Sequence, residues 1–167
     1  VYGDAYERLR EILAGTKAVY LENETAAFWK NGLQVLIYGF EMKREYYDRF
    51  CRQQLPVTEL TDVFGTPPKE AFSILLAHHP WYTQAYDCFG ADVTLSGHYH
   101  GGVVGFGNRG LVSPDFRLFP KNCHGCCEKD GHYRIVSAGC GEHTIPVRLH
   151  NPRELVVLEI DGSGEGK

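Results

Sequence analysis

A glycine-rich segment with two histidines, Ser96 to Gly102, constrains this chain more than any other stretch of the sequence. It follows a short apolar run, Val93 to Leu95, which predicts a buried strand. If the backbone stays extended, His98 and His100 lie two residues apart and their side chains point the same way. The glycines on both sides allow a sharp turn and the close approach of a ligand to the backbone.

A second pair of histidines, His78 and His79, ends the apolar run Phe72 to Ala77, which is typical of a strand buried on both faces. Pro80 to Phe89 predicts a crossover helix closed by Gly90, so the strands on either side form a parallel pair with a right-handed connection. Open α/β sheets bind ligands at the carboxyl ends of such strands. Because both histidine pairs lie there, we expect a transition-metal site, for which neutral imidazole is a suitable ligand.

Composition limits the remaining possibilities. The 167 residues suit one compact domain or a large part of one, and the hydrophobic fraction of 43% is ordinary for a soluble globular core. A formal net charge of -4, with both signs spread along the chain, argues against binding to duplex nucleic acid. No apolar run has the length of a membrane span and no signal peptide is visible.

The chain starts with Val1 and its single methionine is Met42, so we expect it to be a piece of a longer protein. Its cysteines do not have the regular spacing of a small secreted domain, and reduced thiols are the expectation. The six cysteines are Cys51, Cys88, Cys123, Cys126, Cys127 and Cys140.

The rest of the chain reads as an α/β pattern. Asp4 is the expected N-cap of a first helix, and Asn31-Gly32 predicts a hairpin turn. Helices are predicted over residues 5–14, 43–55 and 59–64, and strands over 18–21, 25–29, 33–40, 133–137 and 155–160. Between residues 101 and 110 we expect a short strand and a turn, and from 111 to 131 an irregular loop. Residues 161–167 predict a disordered tail.

Four stretches, in this order, resemble the C-terminal half of the calcineurin-like metallophosphoesterases. They look most similar to the membrane- or wall-associated bacterial phosphodiesterases of the YaeI/YkuE type. The stretches are Leu75 to Pro80, Ser96 to Gly102, Leu118 to Lys121, and Ile145 to Arg148.

The resemblance implies a sandwich of two mixed β-sheets flanked by helices. It implies two divalent metal ions (Zn, Mn, Fe or Ni), with His78 and His98 as ligands of the second ion and His100 as a ligand of the first. A metal-bound hydroxide would then hydrolyse a phosphomono- or phosphodiester. The glycines expected to shape the floor of the substrate pocket are Gly97, Gly101 and Gly102.

The chain departs from the family pattern in its first half. The Asp-x-His, Gly-Asp-x-x-Asp and Gly-Asn-His-Asp/Glu motifs, which supply the remaining ligands and a catalytic histidine in the family, do not precede His78. We therefore expect residues 1–160 to be the C-terminal portion of a single metallophosphoesterase domain whose metal-binding N-terminal half is missing. We expect this portion alone to be inactive, and the parent protein to be associated with a membrane or cell wall. Its oligomeric state is left open.

Other functions remain open at this point. The chain is alternatively a non-catalytic metal- or ligand-binding module, or a zinc-binding interaction domain built on Cys123, Cys126, Cys127 and His132. His79 is interpreted as a supporting residue rather than a ligand. Asp115 is expected to turn its loop, and the candidate phosphate-binding residues are Arg117, Lys121, His143 and Arg148.

Overall fold

The computed structural model describes residues 3–47, 53–102, 104–106, 109–112, 124–141 and 148–160. Its α-helices are α1 (Asp4–Ala14), α2 (Thr58–Phe64) and α3 (Thr83–Phe89), and Arg44–Tyr47 form a 3₁₀ turn. The strands are β1 (Glu24–Lys30), β2 (Leu33–Phe40), β3 (Phe72–Ala77), β4 (Val93–Ser96), β5 (Val104–Phe106), β6 (Arg109–Val112), β7 (Gly125–Lys129) and β8 (His132–Val136).

Six of the strands form one mixed sheet in the order β1-β2-β3-β4-β8-β7. The inner pairs β2/β3, β3/β4 and β4/β8 are parallel, and the outer pairs β1/β2 and β7/β8 are antiparallel. The second sheet consists, among the described residues, of the antiparallel pair β5 and β6. The predicted α/β class, a mixed sheet flanked by helices, is confirmed.

The main core lies on the face of the sheet that packs against the helices. Alternate residues of β2 and β3, such as Tyr38 and Leu75, point to this face and are almost fully buried. They pack with Leu60 of α2 and with Tyr86 and Phe89 of α3. Because a shift by one residue would turn this buried face outward, the packing fixes the register of β2, β3 and β4, in which Leu76 of β3 pairs with Leu95 of β4. The carboxyl ends of β3 and β4 therefore lie side by side.

Both hairpins of the sheet turn on a residue followed by glycine. Asn31 and Gly32 have φ values of 52° and 81°, and Asp130 and Gly131 have 54° and 81°. Positive φ at both positions is the type I′ geometry that matches the twist of the strands. The first hairpin is confirmed. The second shows that the loop predicted up to residue 131 was wrong in its last part, because Asp130-Gly131 is an equally good turn signal and β7 precedes it.

Two predicted strands do not form. Residues 18–21 and 155–160 have irregular backbone, and Val19, Leu155 and Val157 are 73%, 83% and 78% exposed. A short apolar run becomes a strand only where another strand is available to pair with it, which the sequence alone does not reveal.

Two helix boundaries also differ from prediction. Asp4 is the first residue of α1 rather than its N-cap, which is Gly3, and no side chain caps this end. The predicted helix over residues 43–55 is reduced in the described residues to the 3₁₀ turn, and residues 53–56 are irregular. Residues 161–167, predicted to be disordered, lie outside the described residues. Within the described ranges, no helix combines the length and apolar character needed to cross a bilayer.

Candidate functional site

The first histidine turn, residues 78–80, directly follows β3. His79 is 8% exposed, its Nδ1 accepts the Trp81 backbone N–H at 3.2 Å, and its carbonyl oxygen accepts the Tyr86 hydroxyl at 2.9 Å. His78 lies on the solvent side of the same turn. Tyr86 belongs to α3, so this turn is held by the helix that immediately follows it.

The second histidine turn, residues 97–102, follows β4 and is not extended as the two-residue spacing suggested. His98 and His100 have φ values of 66° and 48°, in the left-handed region that side chains other than glycine rarely adopt. Tyr99, between them, is 1% exposed. The two histidines therefore lie on either side of a buried tyrosine in a left-handed backbone, and not on one face of an extended strand.

The two turns are in direct contact. The Gly97 backbone N–H donates to the His78 carbonyl oxygen at 3.0 Å. The ring centroids of His78 and His98 are 5.3 Å apart with an interplanar angle of 87°. His79 stacks on His98 with centroids 4.2 Å apart, and Tyr47 lies 6.4 Å from His98. The predicted convergence of imidazoles from neighbouring strand ends is thus present for His78 and His98.

The separation of the His78 and His98 rings can be compared with that of two imidazoles on one cation. Two imidazoles bound to one tetrahedral ion through nitrogens at about 2.0–2.1 Å have ring centres roughly 5 Å apart, which is close to the observed separation. Among the residues that the structure describes, no group of three histidine, cysteine, aspartate or glutamate side chains has the arrangement of a complete metal site. The described residues therefore offer part of a coordination sphere.

The electrostatic environment of His78 favours the form that binds metals. Partial desolvation by the surrounding turn, together with the nearby His98 and His100, lowers the pKa of His78 below its usual range. The neutral imidazole, which carries the lone pair a cation needs, is therefore the prevailing form at neutral pH.

His100 is held by a part of the chain that the sequence did not single out. Its Nδ1 lies 3.3 Å from the Gly141 carbonyl oxygen, and its own carbonyl accepts the Asn151 amide at 2.5 Å. Arg148, considered as a phosphate-binding residue, directs its guanidinium to the carbonyl oxygens of Ala138 and Gly141. Asn151 lies in an irregular segment, and nothing in the sequence linked it to the histidines.

The three candidate glycines occupy different positions around the second turn. A Cβ on Gly97 would meet the His78 ring at 3.7 Å, an ordinary contact. Gly101 and Gly102 are buried, and a Cβ on Gly101 would lie 2.4 Å from Asn151 Oδ1. A close approach to Asn151 is therefore evident for Gly101, and contact of the three glycines with substrate stays a prediction.

The described part of the cysteine-rich segment forms β7, the edge strand of the six-stranded sheet, two strands away from β4. Cys126 and Cys127 are exposed thiols on β7, and Cys123 lies outside the described residues. His132 directs its Nδ1 to the Ala91 carbonyl oxygen at 2.9 Å. Asp130-Gly131-His132 has Asp-x-His spacing, but it lies at the β7–β8 turn and follows His78, His98 and His100 rather than preceding them. Asp115, Arg117, Lys121 and His143 lie outside the described residues.

Two curated bacterial proteins are similar to this chain. One, described as an uncharacterized metallophosphoesterase of Aquifex aeolicus (strain VF5), is 33% identical over 108 residues, which are 64% of this chain. That similarity supports the metallophosphoesterase family. The other, the uncharacterized protein YpbG of Bacillus subtilis (strain 168), is 27% identical over 156 residues, or 93% of this chain.

The matched regions cover 40% of the Aquifex protein and 53% of the Bacillus protein, so the chain spans about half the length of these relatives or less. No family model matches the chain. No solved structure matches it either.

Proposed function

We propose that this chain supplies the histidine half of a dinuclear, metal-dependent phosphoesterase that hydrolyses a phosphomono- or phosphodiester. The observation that supports this proposal is the contact between His78 and His98 at the ends of adjacent parallel strands. It is joined by the similarity to a protein described as a metallophosphoesterase. The YaeI/YkuE-type resemblance is the more specific form of the proposal.

In this proposal His78 and His98 hold one divalent ion, and His100 contributes to the other. Divalent cations would supply charge neutralisation at the phosphoryl group and a lowered pKa for water. Zn, Mn, Fe and Ni are the candidates, because all accept neutral imidazole. His79, stacked on His98, fixes the plane of that ring. The buried Tyr99 fixes the position of the backbone between His98 and His100.

The residues that complete the site would come from outside this chain's sequence. Three imidazoles lack the bridging carboxylate that holds two cations close together. Residues 1–167 alone are therefore proposed to be inactive, and the protein from the complete gene to be active. On the same resemblance we propose that the complete protein is associated with the membrane or cell wall, which fractionation of cells would test.

The test compares three forms of the protein expressed from its complete gene: wild type, His98→Ala and His150→Asn. His150 is exposed and has a φ of 51°, a conformation that asparagine tolerates, so it serves as the matched control. Metal content is measured by elemental analysis, and hydrolysis is measured with a generic aryl phosphodiester and the corresponding monoester.

We expect the wild type and His150→Asn to bind about two divalent ions and to hydrolyse at least one ester, and His98→Ala to lose 100-fold or more in rate, on the order of 3 kcal/mol. Equal activity of His98→Ala and wild type would contradict the proposal. Metal binding with no hydrolysis of either ester would favour a non-catalytic binding module instead. Metal release by Cys126→Ser but not by His98→Ala would favour a zinc-binding interaction domain.

A further inference from the structure

The second histidine turn has an unfavourable backbone that something must hold in place. Four of its residues have positive φ: His98 at 66°, His100 at 48°, Gly101 at 73° and Gly102 at 89°. Glycine adopts this region freely, whereas histidine does so at a cost. Two hydrogen bonds within the turn, Tyr99 N–H to Gly97 O and Gly102 N–H to Tyr99 O, are too local to define how the turn lies on the sheet.

Gly97 at the start of the turn is tied to the His78 carbonyl oxygen, and Asn151 supplies a long-range contact to the end of the turn. Its side-chain Nδ2 donates to the carbonyl oxygens of His100 at 2.5 Å and Gly102 at 2.6 Å, and the residue is 7% exposed. One amide group therefore uses both of its hydrogens on two carbonyls of the same turn. An aspartate of the same shape has no hydrogen to donate and would place a charge against these carbonyl oxygens.

The segment that carries Asn151 also controls the environment of the His100 ring. The Gly141 carbonyl oxygen, which faces His100 Nδ1 at 3.3 Å, accepts a hydrogen bond from Arg148. Arg148 also donates to the Pro152 carbonyl oxygen at 3.3 Å, next to Asn151. A carbonyl can only accept, so Nδ1 of His100 is the donor in this contact, and the lone pair of the ring is then on Nε2.

From these contacts we propose that Asn151 is a positioning residue for cation binding by His100. It holds the backbone at His100 and Gly102 in the left-handed conformation, while the Gly141 carbonyl oxygen, itself held by Arg148, sets the tautomer of His100. This inference rests on the proposed metal role of the histidines. Partners of this kind typically change metal affinity by about 10- to 100-fold when they are removed.

The test uses cobalt(II) as the probe and the protein expressed from its complete gene. The metal-free protein is titrated with Co²⁺, and binding is followed by visible absorption and by calorimetry. Asn151→Asp should lower Co²⁺ affinity by about 10- to 100-fold and alter the absorption of the bound ion. His150→Asp adds the same charge at the neighbouring exposed residue and should stay within about twofold of wild type.

If Asn151→Asp does not fold, Asn151→Ser decides the question, because serine is neutral and keeps one donor. It should bind Co²⁺ more weakly than wild type. Wild-type affinity and spectrum in a folded Asn151 variant, even one that melts at lower temperature, would overturn the positioning role.

The histidine variants separate this inference from the proposed function. If His98→Ala and His100→Ala bind Co²⁺ as wild type does, the metal role and the positioning role are both wrong. If those variants lose Co²⁺ while Asn151→Asp keeps it, the proposed function stands and the positioning role alone is wrong.

Discussion

The two histidine turns lie against each other, but each is held in place by a different part of the chain. The first, residues 78–80, is held by its own neighbours, since Tyr86 of the following helix donates to the His79 carbonyl oxygen. The second, residues 97–102, depends on Asn151, about fifty positions further along the chain. A short motif whose residues are easily recognised can therefore owe its conformation to contacts with residues far away in the sequence.

The difference extends to backbone strain. His78 does not have a positive φ, whereas His98 and His100 both do. Strain at functional positions persists only when the surroundings determine the conformation. The first turn therefore needs little beyond its strand and helix, while the second needs a partner such as Asn151.

Substituting glycine within the second turn should give the largest effect. Gly101→Ala places a Cβ 2.4 Å from Asn151 Oδ1 at a φ of 73°, and we expect a loss of about 3 kcal/mol of unfolding free energy. Gly97→Ala, whose Cβ would meet the His78 ring at 3.7 Å, should cost less than about 1 kcal/mol. Chemical denaturation of both variants measures the difference in unfolding free energy, and equal losses would show that Asn151 does not constrain the end of the second turn more than its start.

Breaking the local contact of the first turn should have an intermediate effect. Tyr86→Phe removes the hydroxyl that donates to the His79 carbonyl oxygen at 2.9 Å in a buried position, and should cost about 1–2 kcal/mol. Tyr133→Phe is the matched control, because that residue is 47% exposed, and should stay within about 0.5 kcal/mol of wild type. A neutral Tyr86→Phe would mean that the first turn is held by its strand alone.

The smallest expected effect is the difference in stability between glycine and alanine variants, which should have opposite signs in the two turns. At residue 98, with a φ of 66°, glycine should be more stable than alanine by about 1 kcal/mol. At residue 78, outside the positive-φ region, alanine should be more stable than glycine by about 0.5–1 kcal/mol. Thermal and chemical denaturation of four variants test this prediction: His98→Gly, His98→Ala, His78→Gly and His78→Ala. The same sign at both positions would show that the second turn relaxes when its imidazole is removed.

Predictions from the sequence were most successful where the pattern and the local chemistry agreed. The apolar strands β3 and β4, the helix between them and the Asn31-Gly32 hairpin are all present. Each has its own signal within a few residues: a continuous apolar run, a glycine at the helix end, or a turn that requires positive φ. The Asp130-Gly131 turn carried the same signal and was missed.

The predictions that were wrong concern which segments pair as strands. Residues 18–21 and 155–160 have the composition of strands and remain irregular, while β7, a polar segment, pairs with β8 over five positions. Strand formation depends on which neighbour is available, and composition describes only one member of a pair. The first helix begins one residue from the predicted position, which is within the usual variation of helix ends. The described residues after Lys43 form a 3₁₀ turn instead of the predicted α-helix.

The sequence by itself determined which histidines end neighbouring strands, because apolar runs and the crossover between them are local properties of the chain. It also determined that Tyr99 lies between His98 and His100, since the order of residues is part of the covalent chain. Only the tertiary structure decided that the second turn is left-handed, that His79 stacks on His98, and that Asn151 and Gly141 meet His100. These contacts join residues far apart in the chain, and their geometry is set by the packing of the sheet rather than by any local preference of the residues involved.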